Sequence, residues 1–401
     1  MHHFGRQIRN WWEAPARHGA RDTARHCLAL AFANLTQHRT RLYVALSGIG
    51  VAIVLLLMQI AFLNGVRVEA TRLYDAFDFD LAVVPVTYQF LYSGGVFDRV
   101  RLTQAQADRS VRDAFGLNIG VSRWTDEATR QRSSVLLIGL DTPGDFITDP
   151  DIAKGYAALG GSRAVLVDRW SGSAYGPLRM GRQARIADQP VEIAGFFKLG
   201  LFFYAEGSAM VRNADFTRLT GRDGRQISVG LLKLAPRANA REVQTRLAAS
   251  LPDDVQVLTR KDLITQERDF FTATKPIGVL LQVSMLIAFL VGATILFQVL
   301  SAEIIQRARE FAVLKAMGFR PSFVFGVGLS EIILLALSAF VPALVVAGLV
   351  LWGIELSTKL PTALTPLIVL ETLFIVLAMG IASGVSVIGR IARADPAELF
   401  K

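Results

Sequence analysis

Four long stretches of this sequence are almost free of charge, and they limit the fold more than any other feature. Leu42–Leu63 runs for 22 residues without a charge. As a helix it would be about 33 Å long, against about 30 Å of hydrocarbon in a bilayer. Ile277–Leu300 is the second stretch. The third lies within Phe323–Leu356, which is longer than one straight crossing and contains Pro342. A proline can kink such a helix, and part of it can run along the interface. Leu367–Gly389 is the fourth. Of the 401 residues 52% are hydrophobic and 19% charged, too apolar for an ordinary soluble chain and too charged for one lying wholly in lipid. Four spans plus a water-exposed domain account for both figures. The first span is too long and too late in the chain for a cleaved signal peptide.

Basic residues in the short flanks set the expected orientation. Residues 1–41 carry seven Arg against two acids, residues 301–322 four basic groups against two acids, and residues 390–401 three against two. The loop 357–366 carries only Lys359. Residues 64–276 hold 28 basic and 25 acidic side chains, but long domains cross largely regardless of charge. Both termini are therefore expected in the cytoplasm, with one large outside domain between the first and second spans.

The order of elements in that domain is readable. "DLAVVPV" (Asp80–Val86), "NIGVSRWT" and "SVLLIGLD" read as strands, and Thr103 with Gln106 as a capping box for a helix through Phe115. "QISVGLLKLAP", "AREVQTRLAASL" and "VQVLT" follow as strand, helix and strand. The expectation is an α+β domain, a split ferredoxin-like core with a β-rich insert at about residues 145–225. "GVRVEATRLYDAF" (Gly65–Phe77) and "RKDLITQERDFFTATKP" read as helical stalks that run into spans one and two.

Absences narrow the chemistry. All five His and the single Cys27 precede the first span. The outside domain thus has no His-dependent triad, no thiol nucleophile, no His-ligated zinc and no disulfide. No G-x-x-x-x-G-K-[ST] motif occurs, so the chain has no P-loop of its own. The domain's acids are scattered among nearly equal numbers of basic groups and read as a solvated surface. No catalytic residue, metal site or nucleic-acid partner is expected.

Two cytoplasmic segments and two further features remain. "RAREFAVLKAMGFRP" (Arg307–Pro321) reads as a short helix with Gly318 as its C′ stop and Pro321 preventing continuation. Its face holds Glu310, Phe311, Leu314, Lys315 and Met317 and suits either docking on a protein cleft or lying in the inner leaflet against lipid phosphates. "RADPAELF" places Asp395 as N-cap, Pro396 at N1 and Glu398 at N3 of a second short helix, or of a frayed tail. "GFFKLGLFFY" (Gly195–Tyr204), with Phe197, Phe202, Phe203 and Tyr204, is either a contact surface for a partner or lipid, or a hydrophobic hairpin in the core. Glu331 lies within the third span and needs a polar partner, for which Gln298 and Ser301 are candidates. Gly380 and Gly384 form a small-xxx-small pair suited to close helix packing.

These residues carry a resemblance. "ANLTQHRTRLYVALSGIGVAI" and "REFAVLKAMGF" resemble the first span and the segment after the second span of ABC permeases of the MacB/FtsX superfamily. "SEIILLALSAFVPALVV" places Glu331 where that superfamily often has a glutamate. Pro342, in place of the glycine-rich run of MacB, and "EIAGFFKLGLFFYAEGSAMV" are closer to the DevC type. The resemblance implies that Arg307–Pro321 is a coupling helix on a separate ATPase subunit, which binds ATP and Mg, while this chain binds no cofactor. It further implies a homodimer or a pair with a paralogous permease, and mechanotransmission to the outside domains. A periplasmic membrane-fusion adaptor and an outer-membrane channel would be partners in export of amphiphilic, lipid-like or other material. An FtsX-like regulator of a cell-wall hydrolase, or a receptor without an ATPase, are the alternatives. The expected location is the bacterial inner membrane.

The orientation is testable by labelling. In a Cys27→Ser background, Ser173→Cys should react with an impermeant thiol reagent in cells with a leaky outer membrane, and Ser322→Cys should not. Equal labelling of the two would overturn the four-span topology.

Overall fold

In the computed structural model, the residues described are 32, 39–142, 144–161, 163–200, 205–274, 276–306 and 321–393. By compactness the chain divides into two units. One comprises Met1–Phe62, Leu281–Gly353 and Ala363–Lys401; the other comprises Leu63–Leu280 and Ile354–Thr362.

The first unit is helical. Helices α1 (Arg39–Asp75), α7 (Pro276–Gln306), α8 (Pro321–Thr358) and α9 (Pro366–Arg393) contain four segments long and apolar enough to cross a membrane: Leu42–Asp75, Gly278–Val299, Phe325–Thr358 and Pro366–Val385. Helix α8 is one element of 38 residues with Pro342 inside it, about 57 Å if straight. The packing is intimate where side chains are small. A Cβ on Gly384 would lie 1.9 Å from Ile332 Cδ1, and one on Gly380 3.2 Å from Ile332 Cγ2. The Gly380/Gly384 pair thus receives Ile332 of the same chain. Ile49, Ile53 and Leu57 of α1 share a core with Leu335, Ala339 and Ala343 of α8 and Val376 of α9. Gln59 Nε2 donates to the Leu281 carbonyl at 3.0 Å.

The second unit is built on a nine-stranded sheet. Its strands are β1 (Leu81–Pro85), β3 (Val111–Asp126), β4 (Arg132–Leu140), β5 (Ala164–Asp168), β6 (Gln183–Ile186), β7 (Gln189–Phe197), β8 (Ser208–Arg212), β10 (Val229–Leu234) and β11 (Val255–Thr259). A separate two-stranded ladder joins β2 (Phe97–Asp98) to β9 (Gln226–Ile227). The helices of this unit are α2 (Val100–Gln106), α3 (Pro150–Ala158), α4 (Asn213–Thr220), α5 (Ala240–Ser250) and α6 (Arg260–Asp269).

The strand order is β11-β1-β10-β3-β4-β8-β5-β7-β6, and β6 also pairs with β3. The first four strands, all antiparallel, have the 4-1-3-2 order of a ferredoxin-like sheet, with α2 and α5 as its crossovers. Leu102 of α2 and Val243 and Leu247 of α5 share a core with Leu81, Val83 and Leu232. The opposite face, from Ala82, Val84, Val229 and Leu231, packs with Tyr74 of α1, Phe77 just after it and Leu263 of α6. Covering both faces explains the unbroken apolar run of β1 and that of β10, interrupted only by Lys233.

The remaining strands close a circuit, β3-β4-β8-β5-β7-β6 and back to β3, where Trp124 is in register with Ile186. The β-rich insert expected at about residues 145–225 holds β5 to β8, and the strands added to the ferredoxin-like sheet start earlier than expected. They begin at β4 and share the 16-residue β3, whose first half pairs with β10 and whose second half pairs with β4. The expected helix through Phe115 is also corrected. Helix α2 stops at Gln106, and Asp108 Oδ1 accepts from Ser110 N at 2.8 Å, turning the chain into β3. Phe115, a strand residue, is fully buried. The short polar side chain offered the backbone a turn, which competes with helix.

Asp141 ties the ferredoxin-like half to the strand circuit. Arg99 reaches it in bidentate fashion (2.7 and 2.6 Å), Asn213 Nδ2 donates at 2.6 Å, and Gly116 N donates at 3.0 Å. A Cβ on Gly116 would lie 2.5 Å from Asp141 Oδ2. Gly116→Ala should therefore destabilise the domain by about 1–3 kcal/mol through overpacking, seen as a lower Tm of the purified full chain. Gly161→Ala, with open space around it, should leave the Tm unchanged.

Candidate functional site

Two helices enter the sheet domain from apolar segments, and the groups that seat them form the candidate site. Helix α1 ends at Asp75, and its last buried side chains are Leu73 and Tyr74, each at most 1% exposed. Helix α6 starts with Thr259 as N-cap, whose hydroxyl accepts from Asp262 N at 3.1 Å. After Asp269 the chain takes a π-helical turn, Phe270–Thr274, before Pro276 opens α7. The expected uninterrupted helix over Lys261–Thr274 is thus replaced by α-helix followed by a π turn. A Cβ on Gly278 would lie 2.2 Å from the Phe271 carbonyl oxygen, so the backbone after the turn approaches closely only because this residue is glycine.

The segment 86–95 clamps this turn. Phe90 stacks on Phe270 with ring centroids 4.0 Å apart and meets Phe271 edge-on at 5.6 Å. Gln266 Nε2 donates to the Tyr88 carbonyl at 3.1 Å. The Tyr88 hydroxyl donates to Glu267 Oε1, and it lies 2.5 Å from the hydroxyl of Tyr74. One chain of three oxygens therefore links α1, the 86–95 segment and α6. Glu267 is fully buried, and Oε2 has no hydrogen-bond partner. Burial pushes its carboxyl up to about 7, against the smaller opposing effect of the Tyr88 hydrogen bond. Burial also pushes the Tyr88 phenol well above its usual range, so it stays protonated.

A second seat lies one to two turns earlier on α1. Glu69, 3% exposed, pairs with Arg72 at 3.5 Å, and the Arg72 guanidinium lies 5.0 Å from the Trp170 ring centroid. Asp168 organises the facing backbone: its carboxylate accepts from Gly200 N (2.7 Å), Leu199 N (3.3 Å), Trp170 N (3.0 Å) and Ser208 Oγ (3.3 Å). Burial raises the Asp168 carboxyl, while these donors pull it back. Gly200 has φ +110°, and a Cβ there would lie 2.9 Å from Arg72 Nη1.

The site residues read from the sequence fall differently. Phe197 is fully buried at the end of β7 and belongs to the core with Phe77 and Phe115, so it is not a partner contact. An inward-pointing final strand residue, in register with Asp168, has no route to the surface. Phe202, Phe203 and Tyr204 lie outside the described residues, as do Glu310, Phe311, Leu314, Lys315, Met317 and Gly318 and the tail residues Asp395, Pro396 and Glu398. Glu331 is buried, 4% exposed, whereas Gln298 is exposed and Ser301 Oγ has no hydrogen-bond partner, so the expected Glu331–Ser301 bond is not formed.

The Tyr74–Tyr88–Glu267 chain and the Phe90 clamp were not singled out from the sequence. A signal was present: Glu267 is four residues after Leu263 and four before Phe271, on the apolar stripe of its helix. A carboxylate in that register is destined for burial.

Residues 283–396 match the family model described as FtsX-like permease C-terminal. Among curated proteins, none matches the chain. Among solved structures, the extracellular domain of the noncanonic ABC-type transporter YknZ from Gram-positive bacteria is similar, at 14% identity over 45% of this chain and 98% of that one, with a TM-score of 0.32. The periplasmic region of MacB from Actinobacillus actinomycetemcomitans is similar at 10% identity, over 47% and 91% of the two chains, with a TM-score of 0.33. Likenesses this distant carry no functional weight. The FtsX-like character of the C-terminal spans rests on the family model, which does not separate the DevC type from its relatives.

The aromatic clamp has a direct consequence. Truncating Phe90, 4% exposed, should cost about 3–5 kcal/mol. In Phe90→Ala, amide exchange at residues 270–274 of the full chain should accelerate at least tenfold relative to that in β3. Unchanged protection there would show that the π turn does not depend on the clamp.

Proposed function

We propose, from the FtsX-like permease match over residues 283–396, that the chain is the permease subunit of an ABC transporter. That match is the observation that carries the reading. Four segments able to cross a membrane and the lack of a P-loop agree with it. ATP hydrolysis is then the work of a separate ATPase subunit, seated on the Arg307–Pro321 segment, with "RADPAELF" as a second contact. The sheet domain stands on the far side of the membrane, as the flanking charges indicate. Two copies, or this chain and a paralogue, make the pair.

The finer mechanism follows from the seats of the two helices. Helix α1 is one continuous element from Arg39 to Asp75, and a continuous helix transmits tilt where a flexible linker absorbs it. Its end is fixed in the sheet domain by Leu73, Tyr74 and the Glu69–Arg72 pair. Movement of the spans on nucleotide binding is passed to the sheet domain through α1 and α6. Amphiphilic or lipid-like material handled from the periplasm, with a membrane-fusion adaptor and outer-membrane channel, is the substrate class this reading implies.

Purification of the tagged full chain from its native membrane tests the proposal. An ABC ATPase should co-purify, and Gly318→Val should weaken that association while leaving membrane insertion intact, because a β-branched residue at an αL helix stop is strained. A co-purifying adaptor supports export. A wall hydrolase in its place points to the FtsX-like regulator, and absence of any ATPase overturns the transporter reading.

A further inference from the structure

We propose that Glu267, with Tyr88 and Tyr74, is a proton-operated latch between the two helices that enter the sheet domain. Uptake of one proton from water by Glu267 tightens the tie of α6 to the 86–95 segment and α1, and release of that proton loosens it. Its part in coupling rests on the transporter reading above; the latch itself does not.

The geometry carries the proposal. Glu267 is fully buried and forms no ion pair among the described residues. The Tyr88 hydroxyl donates to Oε1, and Tyr88 is in turn within 2.5 Å of Tyr74. Oε2 has no partner. A proton placed on Oε2 leaves this hydrogen-bond chain unchanged and removes a buried negative charge. Without that proton, the charge has the Tyr88 hydroxyl as its main donor, smaller help from the Leu91 amide and Tyr74, and no cation, and opening the segment to water solvates it more fully.

Two other carboxyls of α1 are raised by burial, Glu69 to about 7 and Asp75, and the Glu267→Gln and Tyr88→Phe variants separate them from Glu267 because neither variant alters them. The titratable groups that meet Glu267 are Tyr74 from α1 and Tyr88 from the 86–95 segment. Asp75 and Arg260 on the same two helices face each other at 3.9 Å, with Arg268 and Arg72 also near Asp75. Strands β1 and β11, which pack on α6, and the π turn Phe270–Thr274 carry no ionisable side chain.

The sign follows from desolvation, which outweighs the Tyr88 hydrogen bond and lifts the Glu267 carboxyl from an ordinary 4.5 to about 7. A carboxyl raised in the folded state contributes stability that is fully present below the ordinary value and is lost as pH rises through the folded one. The latch is therefore tighter at pH 6 than at pH 8. If local opening fully solvates Glu267, the open fraction rises about tenfold between pH 6 and pH 8, and the pH dependence levels off above about 7.

Hydrogen exchange of the purified full chain in detergent, corrected for intrinsic rates, tests this at residues 86–95 and 260–274. The wild type should show the tenfold rise, and Glu267→Gln, neutral at every pH, should stay at the low-pH level of protection throughout. A flat wild-type profile, or the same rise in Glu267→Gln, overturns the latch. Should Glu267→Gln fail to fold, infrared spectroscopy of the wild type and Tyr88→Phe decides. A protonated-carboxyl band should be present at pH 6 and lost by pH 8 in the wild type, and should persist to higher pH in Tyr88→Phe, which lacks the donor. No band titrating in that range, or an unmoved midpoint in Tyr88→Phe, overturns it as well.

Discussion

Exclusion of water from the end of α1 is the constraint on which the sheet domain is assembled. Leu73, Tyr74 and Phe77 are at most 1% exposed, and they face β1 and β10 rather than solvent. At about 25 cal/mol per Å² of apolar surface, three such side chains are worth several kcal/mol, enough to fix where a long helix ends. The ferredoxin-like sheet must then carry apolar side chains on both faces, because α2 and α5 cover the other one. That explains strands without alternation, and it explains why β4, β5 and β8 alternate between two cores instead of between core and water: Leu136, Leu166 and Met210 join the cluster around Phe115, while Val135, Val165 and Ala209 join that around Trp124.

The polar groups caught in this arrangement are few and each has a task. Asp141 gathers Arg99, Asn213 and the Gly116 amide where the ferredoxin-like half meets the strand circuit. Asp168 gathers three backbone amides and a hydroxyl beside α1. The donors around Asp168 offset part of the effect of its burial. Glu267 and Glu69 differ, each with one carboxylate oxygen that has no hydrogen-bond partner, and Glu267 has no ion pair among the described residues. The contrast between Asp168 and Glu267 is a contrast in donor count, and it is why one carboxylate organises a loop and the other is poised to bind a proton.

Sequence patterning revealed what depends on local periodicity. The four apolar segments, β1, β10, β11 and α5 fall where the run lengths place them, and α5 starts after Asn239, whose side chain accepts from Arg241 N at 3.0 Å. It missed what depends on partners distant in sequence. Nothing near Thr103 signals that Asp108 will turn the chain and that Phe115 will be a strand residue in register with Leu231 of β10. The aromatic run at Gly195–Tyr204 is dense enough to suggest a surface, yet Phe197 is in the core because β7 is a parallel neighbour of β5, a long-range pairing that composition does not encode. Likewise Glu267 reads as one more acid on a charged helix until Tyr88, 179 residues away, is placed against it.

The π turn at Phe270–Thr274 bears on how two helices of one domain can differ mechanically. Helix α1 passes from its apolar segment to Asp75 as a single α-helix. Between α6 and α7 the hydrogen-bonding register changes, and Pro276 removes one donor immediately beyond it. A helix with such a break bends there more readily than an unbroken one. The aromatic clamp of Phe90 on Phe270 and Phe271 sits at this change of register, and Glu267 lies one turn before it, so the buried carboxyl and the clamp share one short stretch of chain.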